Sequence, residues 1–193
     1  MRSHCIISGT GRAGTTFLVQ LLTHLGLDTG YNGKPLTVDP VAKAGLEHNS
    51  FTSQTPYIVK SPWFCDDLKA SLSTVHIDHA IIPVRDLKAA AASRIRVQQA
   101  HGPEKADVLV PGGMWHTFNP DMQEAILGRQ LANLIQVLVD QDIPITFLAF
   151  PKFVQDAQYL FTKLQWLLSQ VSVPQFEEAF NNTSRPDWIH HFD

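Results

Sequence analysis

Residues 9–16 contain three glycines and three threonines directly after an apolar segment, and they are the first candidates for chemistry. The spacing from Gly9 to Gly14 is that of the phosphate-binding pattern G-x-x-x-x-G-K-[ST]. Such a turn points several backbone N–H groups at one place, and the helix that follows adds partial positive charge there. Thr15 stands where the pattern has lysine, so the turn suits a nucleotide without a γ-phosphate better than it suits ATP.

Residues 81–93 contain a second pair of candidate anion ligands. Arg85 follows an apolar strand segment, and Ser93 comes eight residues later, about two turns into the next predicted helix. A guanidinium and a hydroxyl that converge on one point form a good receptor for a terminal phosphate. The residues alone leave a second interpretation open, in which Arg85 pairs with a carboxylate and Ser93 is only a small helix residue.

Alternating strand and helix patterns predict the elements that position these residues. Short apolar segments predict strands, and segments with one apolar face predict helices that end at turn-forming residues. The predicted strands are 4–8, 57–60, 80–84 and 145–150, and the predicted helices are 15–25, 63–72, 88–99, 120–139 and 157–168. Residues 28–56, residues 102–119 and the tail from residue 174 lack periodicity, and we expect irregular structure there.

This order of elements predicts an α/β fold of the P-loop type. Strands that alternate with helices form parallel sheets with right-handed crossovers and helices on both faces. We therefore expect three layers, α/β/α, with a central parallel sheet of four to five strands, and a single domain over residues 1–193. Ligands bind at the carboxyl ends of such strands, which brings residues 8–16, Lys60 and Arg85 to one edge of the sheet.

Composition narrows the classes of function. A formal net charge of −3 argues against a general nucleic-acid-binding surface. No segment reaches the length of about 18 apolar residues that a membrane span needs. Cys5 and Cys65 lack metal-ligand spacing and are typical of reduced intracellular thiols, and the nine histidines show no convincing ligand set. We therefore expect a cytoplasmic protein without a signal peptide that needs no metal and binds neither nucleic acid nor membranes.

Residues 12–18, R-A-G-T-T-F-L, resemble the P-[KR]-S-G-T-T-[WF]-L loop of the sulfotransferases. These enzymes use PAPS (3′-phosphoadenosine 5′-phosphosulfate), and the loop holds its 5′-phosphosulfate. Residues 84–93 resemble the family's V-R-[DN]-P-x-[DE]-x-x-x-S segment, which binds the 3′-phosphate, with Leu87 in place of the proline. Lys60 and Ser61 match the family's K-[ST] pair at a strand end, whereas the acidic segment usual after the last strand is absent.

The resemblance implies a sulfotransferase that moves a sulfuryl group from PAPS to a hydroxyl or amine of a small-molecule or carbohydrate acceptor. It also implies the residues that bind PAPS or its product PAP: Gly11, Arg12, Ala13, Gly14, Thr15, Thr16, Arg85 and Ser93. Arg12 occupies the position where many family members have a lysine that supports the leaving phosphate. Lys60 is the candidate for a second catalytic cation. An equal alternative is that Lys60 is only a solvated lysine at the end of a strand.

The base that removes the acceptor's proton is the least defined part of the site. One branch of the family has a histidine directly after the K-[ST] pair, where this chain has Pro62. Other branches use a glutamate after the first helix, and Glu47 lies in the corresponding segment. Glu47 is therefore the first candidate, and the alternatives are His48, Asp66, Asp67 and His116.

The irregular stretches are expected to form the acceptor pocket, and their aromatic residues either stack on the acceptor or cover the core: Tyr31, Phe51, Trp115 and Phe118.

Two other functions stay open on the sequence. A small-molecule or nucleoside kinase would use ATP on the same fold, and the missing loop lysine and the lack of a clear acidic Mg²⁺ ligand after a strand count against it. A nucleotide-binding protein without catalysis would keep the phosphate loop and lack the base, an interpretation that Pro62 supports.

Overall fold

A computed structural model describes residues 2–189, which form an α/β structure around four parallel strands. The strands are β1 (Ser3–Ile7), β2 (Ile58–Lys60), β3 (His76–Val84) and β4 (Ile145–Ala149). Their order in the sheet is β2-β1-β3-β4, so that β1 is an interior strand. The prediction of an α/β fold with a central parallel sheet is therefore confirmed, with four strands.

Seven α-helices within residues 2–189 connect and cover these strands. They are α1 (Thr15–His24), α2 (Phe64–Ser71), α3 (Leu87–Ala100), α4 (Gln123–Asp140), α5 (Lys152–Gln155), α6 (Ala157–Leu164) and α7 (Val173–Thr183). Helices α1, α6 and α7 share a buried cluster on one face of the sheet, and α2 and α4 share a cluster on the other. This arrangement is consistent with three layers. None of these helices is long and apolar enough to cross a bilayer.

The strand side chains alternate between the two clusters. Ile7 and Ile81 face the cluster of α1, whereas Ile6 and Ile82 face the cluster of α2 and α4. Because successive side chains of a strand point to opposite faces, burial on both faces requires nearly continuous apolar strands. This explains why apolar runs without alternation predicted the strand positions.

Two elements differ from the sequence prediction. Strand β3 begins at His76 rather than at residue 80, because the polar His79 still pairs with β1 and bonds to Thr146 on β4. The prediction of an irregular tail from residue 174 is wrong, because α7 forms there. Ser172 and Gln175 make a capping box, and the proline lies in the first turn, where a helix does not need its N–H.

Both irregular stretches fold over the carboxyl edge of the sheet. Residues 39–44 form a tight turn in which Asp39 accepts a bond from the backbone N–H of Ala42 at 2.6 Å. Further along, the backbone N–H of His48 donates to the carbonyl of Lys60 at 2.8 Å. The buried Gln98 on α3 holds residues 105–114 through bonds to three backbone groups. Ordered elements therefore anchor both stretches above residues 9–16.

Candidate anion-binding site

The turn between β1 and α1 depends on glycine. Gly11 and Gly14 have φ angles of 67° and 77°, in the left-handed region. A Cβ on Gly14 would lie 2.8 Å from the ring of Phe153, and one on Gly11 would lie 2.5 Å from the guanidinium of Arg94. Arg12 has a φ of 56° although it carries a side chain. Such strained backbone is concentrated at functional sites.

The N-terminus of α1 opens into a cavity without a side-chain cap. Gly14 is the N-cap residue, and no side-chain hydrogen bond caps the helix. The first N–H groups of a helix have no partner within the helix, and in α1 these belong to Thr15, Thr16 and Phe17. All three residues line the cavity. An uncapped helix end of this kind favours an anion.

Four charged or polar side chains lie beside this helix end and line the cavity. We call them the arginine group: Arg12, Arg85, Ser93 and Arg94. Arg12 Nε donates to Ser93 Oγ at 3.1 Å, and Arg85 Nη1 donates to the carbonyl of Arg12 at 2.8 Å. Arg12 also donates to the carbonyl of Ala42, which fastens the 39–44 turn to the turn between β1 and α1. The structure thus brings the two sequence motifs together, with Arg12 in contact with the other motif's arginine and serine.

Arg94 was missed by the sequence reasoning. Its Nε and Nη2 both donate to the carbonyl of Thr10, at 3.2 and 2.6 Å, and its Nη1 donates to the carbonyl of Gly113 at 2.6 Å. The guanidinium lies 4.8 Å from the ring centroid of Trp115. The sequence offers one signal for Arg94, which is that it directly follows the predicted ligand Ser93. In the structure it is the charged residue among the buried positions of α3.

The positive charges of Arg12 and Arg94 are poorly compensated among residues 2–189. Burial and the charge of Arg85 lower the pKa of Arg12 to about 10, although Asp39 acts in the opposite direction. Burial and the charge of Arg12 also lower the pKa of Arg94. Within residues 2–189, neither Arg12 nor Arg94 has a carboxylate within ion-pair distance. Because a buried charge without a counterion is costly, the arrangement favours a bound anion.

A second set of residues in the cavity has its charge balanced within the fold. We call it the lysine group: Lys60, Glu47, Thr16 and Gly45. Lys60 is 3% exposed, and its Nζ donates to Glu47 Oε1 and to the carbonyl of Gly45, both at 2.6 Å, and to Thr16 Oγ1 at 3.1 Å. Burial lowers the pKa of Lys60, whereas Glu47 acts to raise it. Glu47 Oε2 has no hydrogen bond to any residue from 2 to 189. The Glu47 side chain is 26% exposed, so a ligand in the cavity can reach it.

The cavity between the two groups is small, and two irregular segments help to line it. Its volume is about 150 Å³, whereas sites that enclose a whole ligand have roughly 300–1,000 Å³. Residues 42–44 and a segment after α7 with Arg185 and Trp188 line it from above, and the Lys43 ammonium lies 5.3 Å from the Trp188 ring centroid. The cavity is therefore too small to enclose a ligand as large as a nucleotide.

Most residues predicted for the site line this one cavity. Of the predicted loop ligands, Ala13 is the exception, because its side chain is buried beneath the loop. The alternative bases do not line the cavity: His48, Asp66, Asp67 and His116. His48 Nδ1 instead accepts a bond from the backbone N–H of Lys60, and His116 Nε2 lies 2.9 Å from Asp66 Oδ2.

Among the four aromatic residues expected around an acceptor, Trp115 lines the cavity and the others do not. Tyr31 donates to the carbonyl of Glu47 and packs on His48. Phe51 stacks on Phe64 in the core, with ring centroids 5.3 Å apart. Trp63, which the sequence analysis did not select, is exposed and lies 5.8 Å from the Trp115 ring.

Comparisons of the chain with protein-family models, with curated proteins and with solved structures found no match. Within residues 2–189, no group of three or more histidine, cysteine, aspartate or glutamate side chains is arranged to hold a metal ion. The functional interpretation therefore rests on the geometry of the cavity and on the sequence motifs.

Proposed function

We propose that this protein is a sulfotransferase with a P-loop-type fold, which transfers a sulfuryl group from PAPS to a hydroxyl or amine of a small-molecule or carbohydrate acceptor. The observation that carries the proposal is the convergence of four cations on an uncapped helix N-terminus in one cavity: Arg12, Lys60, Arg85 and Arg94. PAPS is an anion at both its 3′ and 5′ ends, so it would supply the counter-charge that Arg12 and Arg94 lack among residues 2–189. The resemblance of both loop motifs to the sulfotransferase family supports the same assignment.

The proposed binding roles follow from donor groups. The backbone N–H groups of Gly14, Thr15 and Thr16 cradle the 5′-phosphate at the helix end. Arg85 and Ser93 bind the 3′-phosphate, and the hydrogen bond from Arg12 to Ser93 is exchanged for bonds to phosphate oxygens. This exchange is favourable because a hydrogen bond between two charged partners is roughly twice as strong as one between neutral groups.

The proposed catalytic roles fall on both groups of the cavity. Sulfuryl transfer resembles phosphoryl transfer, in which a trigonal group moves between two oxygens in line. Arg12 and Lys60 neutralise the charge that develops on the leaving phosphate as its bond to sulfur breaks. Glu47 Oε2 takes the proton of the acceptor hydroxyl as the new S–O bond forms, while Oε1 stays bound to Lys60. Because guanidinium does not deprotonate in proteins, Arg12 acts only through its charge.

A thermal-shift comparison of PAP, PAPS, ADP, ATP and GTP, each with and without Mg²⁺, tests the proposal. PAP is expected to stabilise the protein more than ADP or ATP do, and to do so without magnesium. At about one hundred times its dissociation constant, a ligand adds about 2.7 kcal/mol to the free energy of unfolding. Equal stabilisation by PAP and ADP would contradict the 3′-phosphate site.

The same experiment separates the two alternatives. A preference for Mg-ATP would contradict the sulfotransferase and indicate a kinase. A preference for PAP with no PAPS hydrolysis and no transfer to any acceptor would indicate a nucleotide-binding protein without catalysis. Turnover of PAPS in the absence of an acceptor is the measurement that distinguishes this last case.

A further inference from the structure

Four side chains beside the cavity form a second cluster, the tryptophan rim, made of Trp63, Asp66, Trp115 and His116. The Trp63 and Trp115 rings lie 5.8 Å apart, and the Trp115 and His116 rings lie 5.7 Å apart. His116 Nε2 lies 2.9 Å from Asp66 Oδ2, and the N-terminal end of α2 carries both Trp63 and Asp66. The two tryptophans therefore adjoin a hydrogen-bonded carboxylate–imidazole pair on one continuous surface.

The rim is held in place by two buried glutamines of α4. Gln123 is fully buried, and its side chain bonds to both the N–H and the carbonyl of Trp115, at 2.6 and 2.9 Å. Gln130 is 4% exposed and donates to both oxygens of Asp66, at 3.3 and 3.0 Å. Buried amides that orient exposed groups preorganise a surface for binding, because the cost of ordering those groups has been met by folding.

Core packing does not account for the tryptophans. Trp63 is 43% exposed, and neither Trp63 nor Trp115 belongs to a buried cluster of residues 2–189. The rim also opens onto the candidate site, because Trp115 and Pro62 line the cavity together with Lys60 and Glu47. The rim is thus the part of the surface next to the carboxylate that would receive an acceptor's proton.

The chemistry of the rim selects one class of ligand. The exposed Trp63 ring and the partly buried Trp115 ring beside it offer apolar surface to the C–H face of a sugar ring, and the carboxylate and imidazole at their margin suit its hydroxyl groups. Asp66 and Asp67 lie on the first turn of α2 beside the rim, so their charges repel an acidic sugar. An aromatic phenol or a steroid would need an enclosed apolar pocket, which an exposed rim does not provide.

We propose that the tryptophan rim is the acceptor subsite and that it binds an uncharged sugar ring. This inference rests on the proposed sulfotransferase function and names the acceptor within it. Within residues 2–189 His116 Nδ1 has no hydrogen bond, so it provides a free position for one sugar hydroxyl. Asp66 retains lone pairs for another, because a carboxylate accepts more bonds than His116 and Gln130 supply.

Calorimetric titration of the PAP-bound full chain with sugars tests the subsite. The probes are the uncharged disaccharides cellobiose, lactose and chitobiose, an acidic disaccharide that contains glucuronate, and p-nitrophenol. At least one uncharged disaccharide is expected to bind saturably, about tenfold or more tighter than the acidic one. Binding of p-nitrophenol alone, or equal binding of acidic and uncharged sugars, would overturn the inference.

Single substitutions locate the binding surface. Trp63→Ala is expected to weaken binding of the sugar by about tenfold, because it removes the exposed apolar ring surface that the sugar would cover. Trp166→Ala is the matched control, because Trp166 is 40% exposed and stacks on His79 away from the cavity. His116→Ala is a second test of sugar binding, at an exposed position where the substitution does not disturb the core. An equal loss in the Trp63 and Trp166 variants, or no loss in the Trp63 and His116 variants, would overturn the subsite.

The two proposals fail separately. PAP binding is measured first on each variant by thermal shift, and the rim variants are expected to leave it unchanged. Absence of PAP binding in the unsubstituted chain contradicts the proposed function. Normal PAP binding with no binding of any uncharged disaccharide contradicts the acceptor subsite alone.

Discussion

The arginine group and the lysine group lie in one cavity but differ in how their charge is balanced. Lys60 is buried with Glu47 at 2.6 Å, so its charge has a partner within the fold. Arg12 and Arg94 have carbonyl and hydroxyl partners, and among residues 2–189 no carboxylate lies within ion-pair distance of either. Lys60 therefore has a counter-charge among the described residues, whereas Arg12 and Arg94 do not.

Under the proposed function, this difference predicts that the two groups contribute unequally to nucleotide binding and to the transfer step. A group whose charge needs an anion contributes to binding, because the ligand removes a cost that the empty protein carries. A group whose charge is balanced contributes little to net binding, and it can hold Glu47 Oε2 in position for proton transfer. Substitution of Arg85 should therefore lower nucleotide affinity, whereas substitution of Glu47 should lower the transfer rate.

The largest expected effect belongs to the lysine group. Glu47→Gln keeps the shape of the side chain and removes its basicity, so the transfer rate should fall by about a hundredfold or more. PAP affinity should be unchanged, because the phosphate ligands lie in the arginine group and the α1 turn. Steady-state transfer and PAP titration of the same preparation provide the two measurements. Glu178→Gln, at an exposed position of α7, is the control. Unchanged transfer in the Glu47 variant would exclude Glu47 as the base.

The next effect belongs to the arginine group. Arg85→Ala should weaken PAP by about 1.5–3 kcal/mol and ADP very little, because only PAP carries the 3′-phosphate that Arg85 is proposed to bind. Titration calorimetry with both nucleotides measures the difference. Arg96→Ala removes an exposed arginine of α3 and should change neither affinity. Equal weakening of PAP and ADP would make Arg85 a structural residue and remove the contrast between the two groups.

The sequence predicted the location of the cavity better than its contents. Residues 9–16, Lys60 and Arg85 are brought to one edge because parallel strands have their carboxyl ends together, and this rule needs only the order of elements. The contact between Glu47 and Lys60 depends on the path of residues 28–56, which no periodicity reveals. That path is set by tertiary bonds, such as the one from the N–H of His48 to the carbonyl of Lys60.

Arg94 and α7 were missed for different physical reasons. The partners of Arg94 are carbonyl oxygens of Thr10 and Gly113, and backbone acceptors leave no trace in residue types. Helix α7 did have a local signal in Ser172 and Gln175, but the tail from residue 174 was expected to be irregular because it lacks periodicity. Proline in the first turn of a helix is compatible with it, so the capping pair was the better guide.

The pH dependence of stability offers a further test of the balanced pair. Burial lowers the pKa of Lys60 below its ordinary value of 10.5, and Glu47 opposes this shift. Glu47→Gln removes the opposing charge, so the pKa of Lys60 in the folded protein should fall further. The unfolded chain then binds more protons than the folded protein between that pKa and 10.5, and stability rises with pH across this range.

The variant should therefore be less stable than the unsubstituted chain by about 1–2 kcal/mol near neutral pH, a value reduced by the partial exposure of Glu47. The difference in the free energy of unfolding between the two proteins should shrink as the pH rises towards 10.5, because Lys60 then loses its proton in both proteins. Urea unfolding of both proteins over this pH range measures the difference in stability. A difference that does not change with pH would mean that Glu47 stabilises the fold by packing and not by neutralising the charge of Lys60.

The smallest expected effect tests whether the arginine group acts on one phosphate. Ser93→Ala should weaken PAP by about 0.5–1.5 kcal/mol, the range of one hydrogen bond, and leave ADP unaffected. The loss is moderated because Ser93 Oγ accepts a bond from Arg12 in the structure, so PAP binding exchanges one partner for another. If Arg85 and Ser93 hold the same phosphate, their effects should not add, because each contact helps to position the oxygen that the other binds. A double-mutant cycle with Arg85→Ala and Ser93→Ala measures that coupling, and strict additivity would assign the two residues to different ligands or to none.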